Sequence, residues 1–279
     1  MYAPLQIVSA YSLLKNPNTI EQIIQTAKAR HYEAVALTDI NVMYGAVNFY
    51  REAKKHNIKP LFGITLQING LVNTATAFPL VLIAENQTGY QNLMWISSAK
   101  MTTKSNSMTL DVIAPHLNGI TVILPNDSEL SQFIASQYNE STSYLQQLIT
   151  HIDLNHLYLG INPQLATQIQ DRLIDFSRNN HIKLIALDDV DYLNPEDAFT
   201  TQVLKAIDAN IKLDGIKLLA QQLGTHILED FNDVKKTYLA NDALKTAYLN
   251  NEILVSNSQV DMTFKQTATL PSFQIPNSD

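Results

Sequence analysis

Seven short apolar runs, alternating for the most part with segments of helical spacing, constrain the fold of this chain more than any other feature. Leu5 to Ser9, Ala34 to Thr38, Pro60 to Gln67 and Leu80 to Ala84 are the first four; Ile120 to Leu124, Leu157 to Gly160 and Ile182 to Leu187 follow. Runs of this length read as strands, and those apolar on both faces as strands covered on each side. Between the first two, Ile20, Ile23, Ile24 and Ala27 fall at helical spacing behind Thr19, with Gln22 three residues on completing a capping box. Ala46 to Lys55, Gly89 to Ala99 and Ala166 to Arg178 read as further helices, and Met101 to Thr109 as a polar loop. Strands that alternate with helices imply a parallel sheet with helices packed on it. Seven units fit a closed barrel better than an open sheet, although periodicity by itself leaves closure open. The expected class is α/β, a (β/α)7-type barrel over residues 1–207 with a helical extension over 208–279. The helical pattern sets in at Pro195, and Leu270 to Pro276 reads as an extended stretch bracketed by prolines.

At 279 residues and 46% hydrophobic, the chain can bury one large α/β core or two small ones. No apolar run approaches the ~20 residues of a membrane helix. The opening Met1-Tyr2-Ala3-Pro4 lacks the layout of a signal peptide, so a cytoplasmic protein is expected. Absence of cysteine excludes disulfides and thiolate metal sites. The net charge is -7, and Arg51 to Lys59, the densest basic stretch, is a helix end where cations suit the dipole. A non-specific grip on DNA needs clustered cations that displace counterions from many phosphates, so strong DNA binding is not expected.

Two acidic positions invite a functional reading. Asp39 stands at the end of the second strand run, opening onto a helix, where α/β enzymes place catalytic groups. A short carboxylate there also accepts backbone N–H groups and caps a helix, and this structural role is the expected one. Asp188-Asp189-Val190-Asp191 looks like a metal cluster, yet acids at a strand end more often form hydrogen-bonded turns. Side chains alternate along a strand, so Asp188 and Asp189 should face opposite sides. Ser141 and Ser143 have no histidine in a suggestive position, and Tyr90 and Trp95 read as core or interface residues.

Several segments, in order along the chain, resemble the PHP (polymerase and histidinol phosphatase) domain of the bacterial DNA polymerase III alpha subunit. They are Tyr11-Ser12-Leu13-Leu14, then Ala36-Leu37-Thr38-Asp39 with Met43-Tyr44-Gly45-Ala46-Val47, then Ile58-Lys59-Pro60 with Gly63. Thr88-Gly89-Tyr90, Asn92-Leu93 and Ser97-Ser98 follow; next come Asp189-Val190, Tyr192-Leu193 and Glu196-Asp197-Ala198; last come Leu270-Pro271, Phe273 and Pro276. The resemblance implies a distorted barrel of about seven βα units. It also implies that active members are phosphoesterases holding up to three metal ions at the C-terminal strand ends. Such ions activate water and neutralise phosphate, which requires imidazole and carboxylate ligands.

On the resemblance, the first motif's His pair falls on Gln6 and Val8, and a later ligand on Lys15. The histidine beside Asp39 falls on Ile40, the glutamate of the third strand on Thr65, the histidine of the fourth on Pro79, and the ligand after the fifth near Asn126. The last motif keeps Asp189, while its histidine falls on Asp191. All seven histidines lie off these positions. The implied metal complement is therefore none, or at most one weak magnesium at Asp189 and Asp191. Lys15 is expected to pair with one of these two acids in place of metal charge. The implied role is an inactive scaffold domain of a polymerase whose own Mg²⁺ ions sit in a separate palm. Its implied partners are the palm and thumb of that subunit and a proofreading exonuclease or other replisome protein. A residual metal-dependent phosphoesterase or 3'-5' exonuclease is the alternative.

Overall fold

The seven runs all form strands in the computed structural model, which describes residues 1–105, 107–136, 141–211 and 227–262. In chain order the elements are β1 (Gln6–Ile7), α1 (Ile20–Ala29), β2 (Ala34–Leu37), α2 (Ala46–Lys55), β3 (Lys59–Asn69) and β4 (Ala77–Ala84). There follow α3 (Gln87–Thr102), α4 (Leu110–Ile113), β5 (Ile120–Leu124), α5 (Glu129–Ala135), α6 (Ser141–Leu148) and β6 (Leu157–Ile161). The last are α7 (Thr167–Asn180), β7 (Lys183–Ala186), β8 (Asp189–Val190), α8 (Ala198–Asp208), α9 (Phe231–Tyr238) and α10 (Asp242–Asn257). The stretch from Leu270 to Pro276 lies outside the described residues.

Strands β2 to β7 hydrogen-bond in chain order as one six-stranded sheet, and β1 pairs in parallel with β8. Because β8 continues β7 after two residues, and Ala36 and Thr38 N–H bond the Pro4 and Ile7 carbonyls, the β1–β8 pair joins the two ends of the sheet. The expectation of a parallel sheet is corrected at β4, which runs antiparallel to β3 and β5. The physical reason is the link: residues 70–76 are too few for the dozen-residue crossover a parallel pair requires. The loop expected from Met101 begins two residues later, since α3 runs to Thr102, and Met108 bridges to Ile68 on β3.

Alternation along the strands divides the core in two. Ala34, Ala36, Leu61, Val81, Ile83, Ile123 and Ile185 face inward and form one cluster. Their neighbours Val35, Leu37, Leu80, Leu82, Val122 and Leu184 face outward and meet the buried helix stripes, including Ile23, Ile24, Phe49, Leu93 and Leu173. The capping box opens α1 as expected: Thr19 Oγ1 accepts Gln22 N–H at 3.2 Å, and Gln22 Oε1 accepts Thr19 N–H at 2.9 Å. Helix α3 begins where only glycine fits, because a Cβ on Gly89 would lie 1.8 Å from the Gly119 carbonyl oxygen. Helix α10 packs on β7, and its Leu254 and Val255 enter the inner cluster. Buried Asn251 there accepts Ala3 N–H at 3.1 Å and donates to the Ala3 and Ala186 carbonyls at 2.8 and 3.1 Å. No helix among the described residues is long and apolar enough to cross a membrane.

Candidate functional site

The parallel strands deliver the loops after β1, β2, β5, β6 and β8 to one end of the barrel, where α/β folds place their chemistry. Asp39 is the buried keystone of that mouth. It accepts Ser9 N–H at 2.7 Å, Ser9 Oγ–H at 2.8 Å and Ser12 Oγ–H at 2.7 Å, while Ser12 Oγ accepts Ile40 N–H at 2.9 Å. Burial raises its carboxyl above the ordinary 3.8, and the three hydrogen bonds oppose that rise. These bonds give Asp39 a structural role, but the capping mechanism is corrected: α2 begins at Ala46 with Gly45 at its N-cap and no side-chain cap. Asp39 instead pins the loop after β1 to the end of β2.

The nine motif positions divide into groups. Gln6, on β1, lies in register with Asp189 on β8. Ile40 bridges to Thr65, whose neighbour two residues on, Gln67, pairs with Pro79. Thr65 Oγ1 and Asn126 Oδ1 are buried without hydrogen-bond partners among the described residues, and Val8 is half-buried. Lys15 departs from expectation: its ammonium bonds Asp208 on α8 and neither Asp189 nor Asp191. The cation on Asp191 is Lys205, also from α8, at 2.9 Å. Asn16 ties in the same loop by donating its side-chain amide to the Asp191 carbonyl. Helix α8 thus reaches the mouth with one ammonium of its own and one carboxylate that holds Lys15.

The acids at β8 face opposite ways, as alternation requires. Asp188 points to a tyrosine cluster, accepting the hydroxyls of Tyr2 and, at 2.7 Å, Tyr238; burial raises its carboxyl and these two bonds oppose it. Asp189 is raised to about 7, first by enclosure among protein atoms, although its side chain keeps an open face to solvent. The charges of Asp191 and Asp127 add to that rise, and Lys205 counters it. Asp127 is itself raised, by enclosure and then by Asp191. Among the described residues, no three His, Cys, Asp or Glu side chains form a group that could hold a metal ion.

Asp127 and Lys205 were not legible as site residues. Asp127 is one residue beyond the position assigned to Asn126, so an acid following a strand was the available signal. Lys205 sits on a helix outside every motif. Tyr90 is core as expected, whereas Trp95 is 43% exposed and stacks on His116 with ring centres 3.5 Å apart.

An amidohydrolase from Chromobacterium violaceum overlays with a TM-score of 0.48 at 10% identity, covering 69% of this chain and 88% of that one. A metal-dependent phosphoesterase described from Bifidobacterium adolescentis gives 0.46 at 11%, covering 67% and 86%. In sequence, the chain is 28% identical over 99% of its length to the DNA polymerase III subunit alpha of Bacillus subtilis, and 26% identical over its full length to that of Staphylococcus aureus strain COL. It spans about a quarter of the length of these relatives, 24% and 23%. The PHP domain model matches residues 4–164, more than half of the chain, and the chain belongs to the PHP domain family.

Proposed function

We propose that this chain is the PHP region of a replicative DNA polymerase alpha subunit and that it works as a scaffold without hydrolytic activity of its own. The observation that carries the reading is the ion pair at the mouth: Lys205 holds Asp191 at 2.9 Å, where the family resemblance expects a metal ligand. Val8 and Ile40 offer no donor atom, Lys15 is committed to Asp208, and no described acid or histidine group is arranged for a metal. These residues do not fit a multinuclear cluster. At most one weakly held magnesium could share Asp189 and Asp191, and it would have to displace Lys205. The scaffold's partners would be the palm and thumb of the same subunit and a proofreading exonuclease or other replisome protein, acting in the cytoplasm. Polymerisation itself would depend on Mg²⁺ held elsewhere in that subunit.

Elemental analysis of the chain after incubation with zinc, manganese or iron and desalting tests this, together with phosphoesterase and 3'-5' exonuclease assays of wild type and Asp189→Asn. Substoichiometric metal and no hydrolysis sensitive to Asp189→Asn are expected. Two or more ions per chain, or a hydrolytic activity abolished by that substitution, would overturn the reading.

A further inference from the structure

Beside the mouth, a cavity of about 170 Å³ opens between the start of β1, the loop after β6, β8 and α9. Apolar walls come from Pro4, Val190 and Val234. Asp188, Asp189 and Glu229 also line it, and no Lys, Arg or His does so among the described residues. Arg30, the neighbouring cation, spends its guanidinium on the Leu193 and Leu228 carbonyls and on Asn194 Oδ1. The lining is therefore acidic, with Lys205 countering Asp189 from the mouth and no cation facing Glu229 among the lining residues described.

Acidity alone would mark nothing, but two polar atoms there lack partners among the described residues. Tyr32 lines the cavity at 2% exposure, and its hydroxyl makes no hydrogen bond among the described residues. A buried tyrosine hydroxyl ordinarily finds a partner. Glu229 gives one oxygen to Gln164 Nε2 at 2.9 Å, and its second oxygen has no partner among the described residues. Asp188, by contrast, is saturated by Tyr2 and Tyr238 and contributes negative field.

We infer that this cavity binds a primary alkylammonium group, with Tyr32 and Glu229 as its hydrogen-bond acceptors and the apolar walls around its stem. An ammonium carries three donors and no acceptor, matching one phenol oxygen, one carboxylate oxygen and a water at the opening. Anions are disfavoured by Glu229 and the acidic lining, and a neutral alcohol gains nothing from a carboxylate's field. The volume is close to that of a ~150 Å³ cavity that accommodates benzene, so a four-carbon stem fits. The same chemistry is presented by a free amine and by a lysine side chain.

Butylammonium, 1,4-diaminobutane, Nα-acetyl-lysine methylamide and 1-butanol are titrated into the 279-residue protein by calorimetry and saturation-transfer NMR. Saturable binding of at least one amine is expected, with none for butanol. Affinity should fall at least tenfold in Glu229→Gln, a half-buried site that tolerates the isostere, and also in Tyr32→Phe, which keeps the packed ring. Preference for a free amine or for the lysine amide identifies the source, and either upholds the site. Absence of saturable amine binding, equal binding of butanol, or unchanged affinity in Glu229→Gln would overturn it.

Discussion

Replacing Asp39 with alanine should cost far more than a surface acid would. The carboxylate is 1% exposed and receives a backbone N–H and two serine hydroxyls, from Ser9 and Ser12, themselves 0% and 3% exposed. Each buried donor left without a partner costs about 1–3 kcal/mol. Two terms reduce the sum: the hydroxyls can turn toward other acceptors, and removing a desolvated carboxylate recovers part of its burial cost. The net is about 3 kcal/mol, on the order of 10 °C in Tm for a chain of this size. Asp39→Asn keeps an oxygen for the Ser9 N–H, and Ser9 Oγ can turn to accept the new amide, so about 1 kcal/mol is expected. The pH dependence separates the two contributions. A folded-state carboxyl raised above 3.8 binds more protons than in the unfolded chain, so its contribution to stability falls as pH rises from 3.8 through the folded value. The deficit of Asp39→Asn relative to wild type should therefore shrink across that window. Thermal and urea melts of all three proteins from pH 4 to pH 8 measure this. An Asp39→Ala variant as stable as wild type would refute the clamp, and a deficit that grows with pH would refute the raised carboxyl.

Further outcomes follow from the same geometry. Leu37→Ala, at a 5% exposed outward position of β2, should cost about 2–5 kcal/mol in urea melts, and a loss under about 1 kcal/mol would show that the site collapses around the smaller side chain. Gly89→Ala should be among the most damaging small substitutions, since the Gly119 backbone must move; a melt within 2 °C of wild type would show that the loop yields freely. The Lys205–Asp191 pair is partly exposed, so a double-mutant cycle should give about 0.5–1 kcal/mol, declining as salt rises. Lys205→Met should also raise the Asp189 carboxyl further, read by NMR titration, because Lys205 is the charge that holds it down.

Much of the fold was written in local chemistry. The inward and outward alternation of Ala34-Val35-Ala36-Leu37 and Leu80-Val81-Leu82-Ile83 is a property of the strand itself, and the capping box at Thr19 and Gln22 involves only neighbours. Strand direction is different. The apolar faces of β4 satisfy either orientation, and what reverses it is the shortness of residues 70–76 together with an eleven-residue β3. That is a geometric limit on the chain's reach, which hydrophobic pattern does not encode.

The mouth divides along the same line between local and distant causes. Asp189 and Asp191 stand two residues apart and Asp188 faces away, as the period of a strand requires. The counter-charge could not be read that way. Lys15 was the nearby cation in the motif series, but Asp208 on α8 takes it, and the same helix supplies Lys205 three residues earlier. Residues at this spacing lie on one helix face, so a single element can exchange a carboxylate and an ammonium with the barrel. The arrangement depends on where α8 docks, a tertiary event decided by packing beyond Pro195. The strand end places Asp189 and Asp191 at the opening, whereas the ammonium that faces them comes from the element that settles over it.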